Sequence, residues 1–380
     1  MKGLKGLFKK DKYDNFDYIL CLTIIILLFF GIMMVYSASF YKAIMREDNS
    51  MYFLIRQASF GGIGLVGMYF LSRVDYKRYK NLKLIIGLTI ISVIFLGITI
   101  LKIPGLTHSA YGATRWLKLG PIQFQPSEFV KYVLVLVLAI KLSSLGVKIK
   151  DFKKGILPTI GITVVFAGLI FAQKSMSIAV VTGLTGFIMI FAAGARWKHI
   201  VALCSVGVVA IIGMILAEPF RIQRLLNFTD PWKDANDKGY QVIQSFYALG
   251  SGGITGLGLG ESRQKTMYMP EPHNDFIFSI IGEELGLIGC IFVITLFLIL
   301  IYRGIVIAIT AKDVYGTLLA LGITSIIAIQ AVINIAVVTG SMPVTGVPLP
   351  FISYGGTALT INLFAMGVLL NISRQCEKRI

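Results

Sequence analysis

The stretch PEPHNDFIFSIIGEELG, from Pro270 to Gly286, decides the fold, because a proline-bounded polar loop runs here into a long apolar segment. Asp275 lies at the start of that segment, and Glu283 and Glu284 follow about two turns inside it. Ionisable groups at membrane depth are costly and by default mark a substrate or proton path. An acidic residue in the first turn of a helix also complements the helix dipole. Position alone therefore leaves both a functional and a structural role open for Asp275.

The composition of the chain indicates its class. Of its 380 residues, 56% are hydrophobic and only 14% are charged. A soluble core cannot bury that much apolar surface, so we expect an all-α polytopic membrane protein. The apolar runs are long enough for helices and lack the alternation of barrel strands. The dispersed cysteines and histidines fit neither a disulfide framework nor a zinc site.

The apolar runs predict ten transmembrane helices, with a large extracytoplasmic loop between helices 7 and 8. The first run follows a basic start, as in a signal peptide, but its uncharged length indicates an uncleaved anchor. We expect a single membrane domain over residues 1–380, with residues 218–274 as the loop within it. The predicted helices are Tyr18–Tyr36, Phe53–Leu71, Leu84–Leu101, Ser127–Leu145, Ile156–Ala172, Ser175–Phe191, Ile200–Ala217, Phe276–Tyr302, Tyr315–Val338 and Ile352–Ile372.

The basic residues predict the orientation of these helices. More than half of the 36 Lys and Arg residues fall in short loops on the side of the two termini. By the positive-inside rule both termini are cytoplasmic, and Asp275 faces the opposite, outer side. The net charge of +17 is explained by cytoplasmic lysines that face anionic membrane lipids, so no nucleic-acid partner is expected.

The outer loop contains a glycine-rich run, GSGGITGLGLG, from Gly250 to Gly260. Its spacing matches neither of the common nucleotide-binding loops, and no strand precedes it. The glycines are better explained by close backbone packing or by approach to a lipid phosphate. An amphipathic helix is expected just before it, at Tyr240–Leu249, and the whole loop fits a lid or substrate cradle.

Glu128 and Lys131 form a charged pair near the start of the fourth helix. They are three residues apart and share one helix face. One interpretation is a structural pair that neutralises itself. The other is that Lys131, together with Arg115, presents positive charge to a phosphate-bearing lipid while Glu128 fixes its position. The irregular loop SMPVTGVPLPFISYGG, from Ser341 to Gly356, is of the kind tolerated where it lines a polar cavity.

Four stretches of the chain resemble the SEDS family (shape, elongation, division and sporulation), which are ten-helix bacterial proteins that polymerise peptidoglycan. Within that family, YALGSGG, LGLGESRQK and NIAVVTG resemble the division and sporulation branch of FtsW and SpoVE more than RodA. One departure lies at Gln173–Ser177, where many members carry Pro-Asp-x-Gly; an acidic residue there is not essential if this protein is active. The matching stretches, which together cover the chain broadly, are Arg115–Lys131, Asp230–Lys265, Pro270–Gly289 and Asn334–Ala358.

The resemblance implies a peptidoglycan glycosyltransferase that polymerises lipid II at the outer face of the bacterial cytoplasmic membrane, in cell division or sporulation. It points to Asp275 as the catalytic carboxylate, and a single general base with direct displacement would invert the anomeric centre. It also points to the Glu128–Lys131 pair near that carboxylate. The residues expected to bind substrate are Glu128, Lys131, Arg115, Arg263, Lys265, His273 and Ser353.

The partners that the resemblance implies are lipid II and a class B penicillin-binding protein transpeptidase. No oxygen-ligand cage for a metal can be read from the sequence, although a divalent cation, Mg²⁺ or Mn²⁺, held partly by pyrophosphate stays open. Two other functions are considered, a lipid II flippase and a non-catalytic division scaffold. A flippase predicts charges along a through-path and paired broken helices. The candidate residues here concentrate on one face, which favours the enzyme.

Overall fold

The computed structural model describes residues 15–110, 113–120, 122–217, 222, 223, 225, 228–235, 239–266 and 268–376. Parts of the predicted outer loop, among them 218–221 and 236–238, therefore lie outside the described residues. Long helices dominate the fold. They are α1 (Tyr18–Glu47), α2 (Tyr52–Leu71), α3 (Leu82–Ile100), α4 (Pro126–Leu145), α5 (Leu157–Ala172), α6 (Met176–Ala192), α7 (Trp197–Leu216), α8 (Tyr240–Gly252), α9 (Ile277–Thr310), α10 (Val314–Val338) and α11 (Gly356–Arg374).

The prediction of an all-α polytopic membrane protein is confirmed. Within the described ranges, nine helices are long and apolar enough to cross a membrane. Helix α6 is also apolar but shorter, at 17 residues. Short helical turns at Tyr76–Lys80, Gly146–Lys150, Phe152–Ile156 and Pro231–Asp234 lie between the long helices. The exact count of ten spans stays a prediction.

Several helix ends differ from the expected positions; α9, for example, continues past Tyr302 to Thr310. Helix α1 continues past Tyr36 to Glu47, because its apolar run is followed by small and helix-favouring residues, and it ends where Asp48 adopts a left-handed φ of 49°. Helix α11 begins at Gly356 rather than Ile352, since the preceding residues form an irregular loop. The extra turns of α1 bring basic side chains towards the Asp275 loop.

Helix α10 lies at the centre of the bundle, where it packs against α4, α6 and α9. Most of its side chains are buried. Helix α11 packs mainly against α2, and α7 is almost entirely exposed along its apolar length. In a membrane protein such exposed apolar surface faces lipid.

A small antiparallel sheet, which the sequence did not predict, lies between α3 and α4. Its strands are β1 (Thr107–Ala110), β2 (Ala113–Leu119) and β3 (Ile122–Phe124), in the order β1-β2-β3. Strands this short carry too little alternation to be recognised in a chain scanned for membrane spans. The hydroxyl of Thr357 donates to the Gln123 carbonyl at 3.2 Å, which joins β3 to the start of α11. The sheet thereby lies beside the start of α11.

Helix α9 is broken at Gly286, where φ is 63° and ψ is −161°. The glycine-rich loop supplies the hydrogen bonds that the helix loses there. The Leu257 and Gly258 amides donate to the carbonyls of Glu283 and Glu284, both at 3.0 Å. In turn the amides of residues 287 and 288 donate to the carbonyls of residues 253 and 254, at 2.9 and 3.2 Å. The expectation of close backbone packing is confirmed for Gly252 and Gly256, where an added Cβ would clash with the carbonyl oxygens of Gly282 and Glu284.

The described ends of the chain meet at the opposite end of the bundle from Asp275. The Asn15 amide donates to the Cys376 carbonyl at 3.1 Å, and the Asp17 carboxylate pairs with Arg303 at 2.9 Å. Nearby, Lys80 pairs with Asp313 at 3.3 Å on a partly exposed surface. Both ends of the described chain thus lie on one side of the helix bundle.

Candidate functional site

The backbone around Asp275 is held by three donors, two from the loop before α11 and one from α10. The Tyr354 amide donates to the His273 carbonyl at 2.9 Å, and the Ser353 hydroxyl donates to the Asn274 carbonyl at 2.8 Å. The Asn334 amide of α10 donates to the Asp275 carbonyl at 2.7 Å. Three successive carbonyls are therefore fixed just before α9 begins, which sets the direction of the half-buried Asp275 side chain.

The Asp275 carboxylate faces the irregular loop that precedes α11. A Cβ atom on Gly346 would lie 3.5 Å from its Oδ2 atom, so the loop passes close by without crowding the carboxylate. Arg115 of β2 is near enough for its charge to interact with that of Asp275. Burial lowers the pKa of Arg115, while the charge of Asp275 acts in the opposite direction. A carboxylate and a guanidinium thus lie near each other at this end of the helix bundle.

The Arg115 guanidinium is held in place by the segment between α5 and α6. Its Nη2 atom donates to the Lys174 carbonyl at 2.5 Å, and Lys174 itself adopts a left-handed φ of 61°. This is the segment in which the sequence departs from the family's acidic motif. Its backbone, rather than an acidic side chain, contacts the site at this point.

The charged pair of α4 is completely buried. The Lys131 ammonium donates to Glu128 at 2.5 Å and to the side-chain carbonyl of Gln330 on α10 at 2.9 Å. It also lies 5.5 Å from the centre of the Tyr132 ring. Of the two Glu128 oxygens, Oε1 has no hydrogen-bond partner in the described part of the chain. A buried carboxylate with a spare acceptor can bind a further donor.

Helix α10 connects the charged pair to Asp275. Gln330 and Asn334 are four residues apart and so lie one above the other on a single helix face. Gln330 contacts Lys131, and Asn334 contacts the Asp275 carbonyl. Neither residue was predicted as part of the site, although two amides at that spacing in an apolar helix are the kind of signal that marks a polar site.

Lys265 is placed away from this face, in a second buried network. Its ammonium donates to Glu284 at 2.7 Å and to the Ser37 hydroxyl of α1 at 3.0 Å. The neighbouring Glu283 accepts from the Ser262 hydroxyl and from the Arg263 amide, the latter at 2.9 Å. Both glutamates therefore hold residues 262–265 against the broken part of α9. The Arg263 side chain is exposed.

His273 and Ser353 contact the backbone and rings around Asp275. The His273 ring is buried between Phe53 and Tyr354, with centroid distances of 4.5 and 5.6 Å. Burial lowers the pKa of His273 to about 4, so the imidazole is neutral at neutral pH. The Ser353 hydroxyl accepts from the Leu349 amide at 2.8 Å and thus fixes the loop before α11.

The described residues bring Asp275, Arg115, His273 and Ser353 together at the end of the bundle opposite Asn15 and Cys376. Glu128 and Lys131 lie below them and are connected to Asp275 through α10. No group of three or more His, Cys, Asp or Glu side chains that could hold a metal ion occurs in the described ranges. The arrangement offers one half-exposed carboxylate, a nearby guanidinium and a buried ammonium, which suits proton transfer beside an anionic group.

Comparison with known proteins gives consistent matches over nearly the whole chain. A family model described as cell cycle protein, FtsW/RodA/SpoVE, matches residues 18–378. Stage V sporulation protein E of Bacillus subtilis (strain 168) is 43% identical over 358 residues, which cover 94% of this chain and 97% of that protein. A probable peptidoglycan glycosyltransferase FtsW of Geobacter sulfurreducens (strain DL-1 / KN400) is 40% identical over 364 residues, with 96% of each chain covered.

Solved structures give the same result for the fold. A chain from a structure described as "Structural coordination of polymerization and crosslinking by a peptidoglycan synthase complex" has a TM-score of 0.78 at 26% identity, with 94% of this chain and 98% of that chain covered. The rod shape determining protein RodA of Thermus thermophilus has a TM-score of 0.69 at 24% identity, with coverage of 96% and 98%. The latter likeness is one of fold.

Proposed function

The chain belongs to the FtsW, RodA and SpoVE family of cell-cycle proteins, and from that premise we propose that it extends peptidoglycan glycan strands from lipid II. It is a multi-pass membrane protein and a peptidoglycan glycosyltransferase. The observation that carries the assignment of the site is the half-exposed Asp275 carboxylate, whose backbone is fixed by three successive carbonyl hydrogen bonds. A general base must be held in this way if it is to act at a defined distance from its substrate.

In the proposed reaction Asp275 is the general base. The 4-hydroxyl of the acceptor sugar attacks the anomeric carbon of the donor, its proton passes to the Asp275 carboxylate, and the polyprenyl pyrophosphate departs. A direct displacement of this kind inverts the anomeric centre. Negative charge grows on the departing pyrophosphate in the transition state, and Arg115 is the nearby cation that would stabilise it.

The buried pair has a supporting role in this proposal. Lys131 contributes positive charge below the site, and Gln330 and Asn334 connect it to the backbone of Asp275. We assign Glu128 the task of holding Lys131 in that position. The described residues contain no group of three or more His, Cys, Asp or Glu side chains that could hold Mg²⁺ or Mn²⁺, and the proposed steps are written without a metal ion.

The proposed orientation places Asp275 on the outer side of the cytoplasmic membrane and both termini inside. In a chain whose four cysteines are replaced, a new cysteine at the exposed Glu261 should react with an impermeant reagent from outside. One at Lys150 should be protected in intact cells. The opposite pattern of labelling would overturn the orientation. A class B penicillin-binding protein is the proposed partner, because synthesis and crosslinking act on the same strand.

The deciding experiment is glycan synthesis by purified protein. With its transpeptidase partner blocked by a β-lactam, it should convert detergent-solubilised lipid II into uncrosslinked polymer. Asp275→Asn keeps the shape of the side chain but removes the base, so the rate should fall at least about 100-fold. Asp48→Asn is the matched control, because Asp48 is exposed and its left-handed backbone suits asparagine equally well.

Three outcomes separate the candidate functions. Polymer from wild type, with loss in Asp275→Asn alone, supports both the enzyme and its base. If wild type makes no polymer but moves lipid II across liposomes, the chain is a flippase and the proposed function is wrong. Equal rates for Asp275→Asn and wild type would remove Asp275 from the chemistry.

A further inference from the structure

The side chain of Glu271 is the centre of a cluster of polar and charged groups at the outer end of α1. Lys42 of α1 forms an ion pair with its Oε1 atom, and Arg46, one turn further along, lies 3.4 Å from the same oxygen. The other oxygen accepts from the side-chain amide of Asn274 at 3.2 Å and lies 3.5 Å from His273 Nε2. We call these five residues the Glu271 cluster. It joins α1 to the loop that carries Asp275.

The backbone of Glu271 begins the turn that precedes Asp275. Glu271 adopts a left-handed φ of 53°, which is uncommon for a residue other than glycine. The backbone amide of Asn274 donates to the Glu271 carbonyl at 3.0 Å, so the turn closes one residue before Asp275. A residue held in this region of φ and ψ needs support from its surroundings. The contacts of its side chain with α1 provide such support.

We propose that Glu271 is a positioning residue for Asp275. Its ion pair with Lys42 ties the turn before Asp275 to α1, so the position of the base depends on that of the helix. This inference rests on the proposed function of Asp275. The donors from Asn334, Ser353 and Tyr354 fix the turn from α10 and from the loop before α11. The Glu271 cluster adds contacts from a third element, because Lys42 and Arg46 of α1 both pair with the Glu271 side chain.

The electrostatics favour Lys42 as the main partner. The Lys42 and Glu271 side chains are 15% and 23% exposed, whereas that of Arg46 is 64% exposed. An ion pair with one highly exposed member contributes little. Burial acts to raise the pKa of Glu271, yet its hydrogen bond to Lys42 and the surrounding positive charge lower that pKa overall.

The first test is kinetic. Glu271→Gln and Lys42→Gln should each lower kcat for lipid II polymerisation about 10- to 100-fold, since small displacements of a catalytic group have effects of that size. The KM for lipid II should change little, because neither residue contacts substrate in the proposed reaction. The matched control is Lys80→Gln, which removes a lysine from the partly exposed pair with Asp313 at the other end of the bundle. It should leave kcat unchanged.

Exchanging the charges of Lys42 and Glu271 tests the ion pair directly, because a variant that had merely lost structure would not regain activity in the double variant. The single variants Lys42→Glu and Glu271→Lys should be at least as slow as the glutamine variants, because each places two like charges together. The double variant restores the pair and should recover most of the lost kcat. A double variant that is as slow as the slower single variant contradicts the proposed pairing.

A measurement without turnover keeps this inference separate from the proposed function. In Glu271→Gln, hydrogen exchange at the Asn274 and Tyr354 amides should be at least about tenfold faster than in wild type. Exchange in Lys80→Gln should match wild type. Unchanged exchange, or faster exchange with full kcat, would overturn the positioning role. If wild-type protein forms no polymer, the proposed function falls, and the exchange data alone decide whether Glu271 orders the turn.

Discussion

Replacement of Lys131 by methionine should cost far more stability than the loss of an ordinary ion pair. The Lys131 ammonium makes two hydrogen bonds in a fully buried environment, to Glu128 at 2.5 Å and to Gln330 at 2.9 Å. Without it, both partners lose a donor. Glu128 would then have two unsatisfied oxygens in the described part of the chain, since its Oε1 atom already has no partner there.

The size of the effect follows from these contacts. Removal of one partner from a buried ion pair costs about 3 to 5 kcal/mol, because an uncompensated charge remains. Lys80→Met is the matched control, since Lys80 pairs with Asp313 at 3.3 Å with side chains that are 42% and 31% exposed. A pair of that exposure contributes about 0 to 1 kcal/mol. We therefore expect a difference of several kcal/mol between two chemically identical substitutions.

The assay is reversible unfolding of the purified protein in mixed detergent micelles, read as the free energy of unfolding of each variant. The double variant Glu128→Gln with Lys131→Met removes both charges and should recover most of the loss. Polymerisation by the double variant then separates the two interpretations of the pair. Recovered activity would make the pair purely structural. A loss below about 1 kcal/mol for Lys131→Met, equal to that of Lys80→Met, would refute the reasoning.

Two further predictions concern the outer loops. A Cβ at Gly256 would lie 2.2 Å from the Glu284 carbonyl oxygen, whereas one at Gly260 would meet nothing within 4 Å, and both residues have a left-handed φ. Gly256→Ala should therefore destabilise the protein by about 2 kcal/mol more than Gly260→Ala, and equal losses would contradict the packing described here. Burial lowers the pKa of His273 from 6.5 to about 4, so the unfolded chain binds a proton that the folded chain does not, and stability should fall as the pH drops through that range. When the pH is lowered from about 7 to about 4.5, the free energy of unfolding of His273→Gln should fall by about 2 to 3 kcal/mol less than that of wild type. Equal decreases for the two proteins would show that the imidazole is protonated in the folded state as well.

Much of the fold was predictable because membrane-spanning helices can be recognised in the sequence as long apolar runs. The helix that follows Asp275, the amphipathic helix at Tyr240 and the packing role of the glycine-rich run were expected and are present. Hydropathy gives the end of an apolar run rather than the end of a helix. For that reason it missed the three outer turns of α1, from Ser37 to Glu47, which carry Lys42 and Arg46.

The site was predictable only in part, because its partners are distant in the sequence. Asp275, Glu128 and Lys131 could be proposed from their positions in apolar runs. The contact of Lys265 with Glu284 and Ser37 could not, since it depends on how the outer loop returns to α1 across the broken helix. Likewise, Arg115 reaches the site on a strand of a sheet too short to be recognised from local patterns.

The break in α9 also limits how the chain length can vary. In an unbroken helix the amides of residues 287 and 288 would bond to the carbonyls of residues 283 and 284. Here residues 253–258 stand between those two sets of groups and bond to both. Surface loops commonly accept insertions at small cost. This loop is different, because one added or deleted residue between 254 and 257 would move its carbonyls or its amides out of alignment with α9, so its length is as constrained as that of a helix.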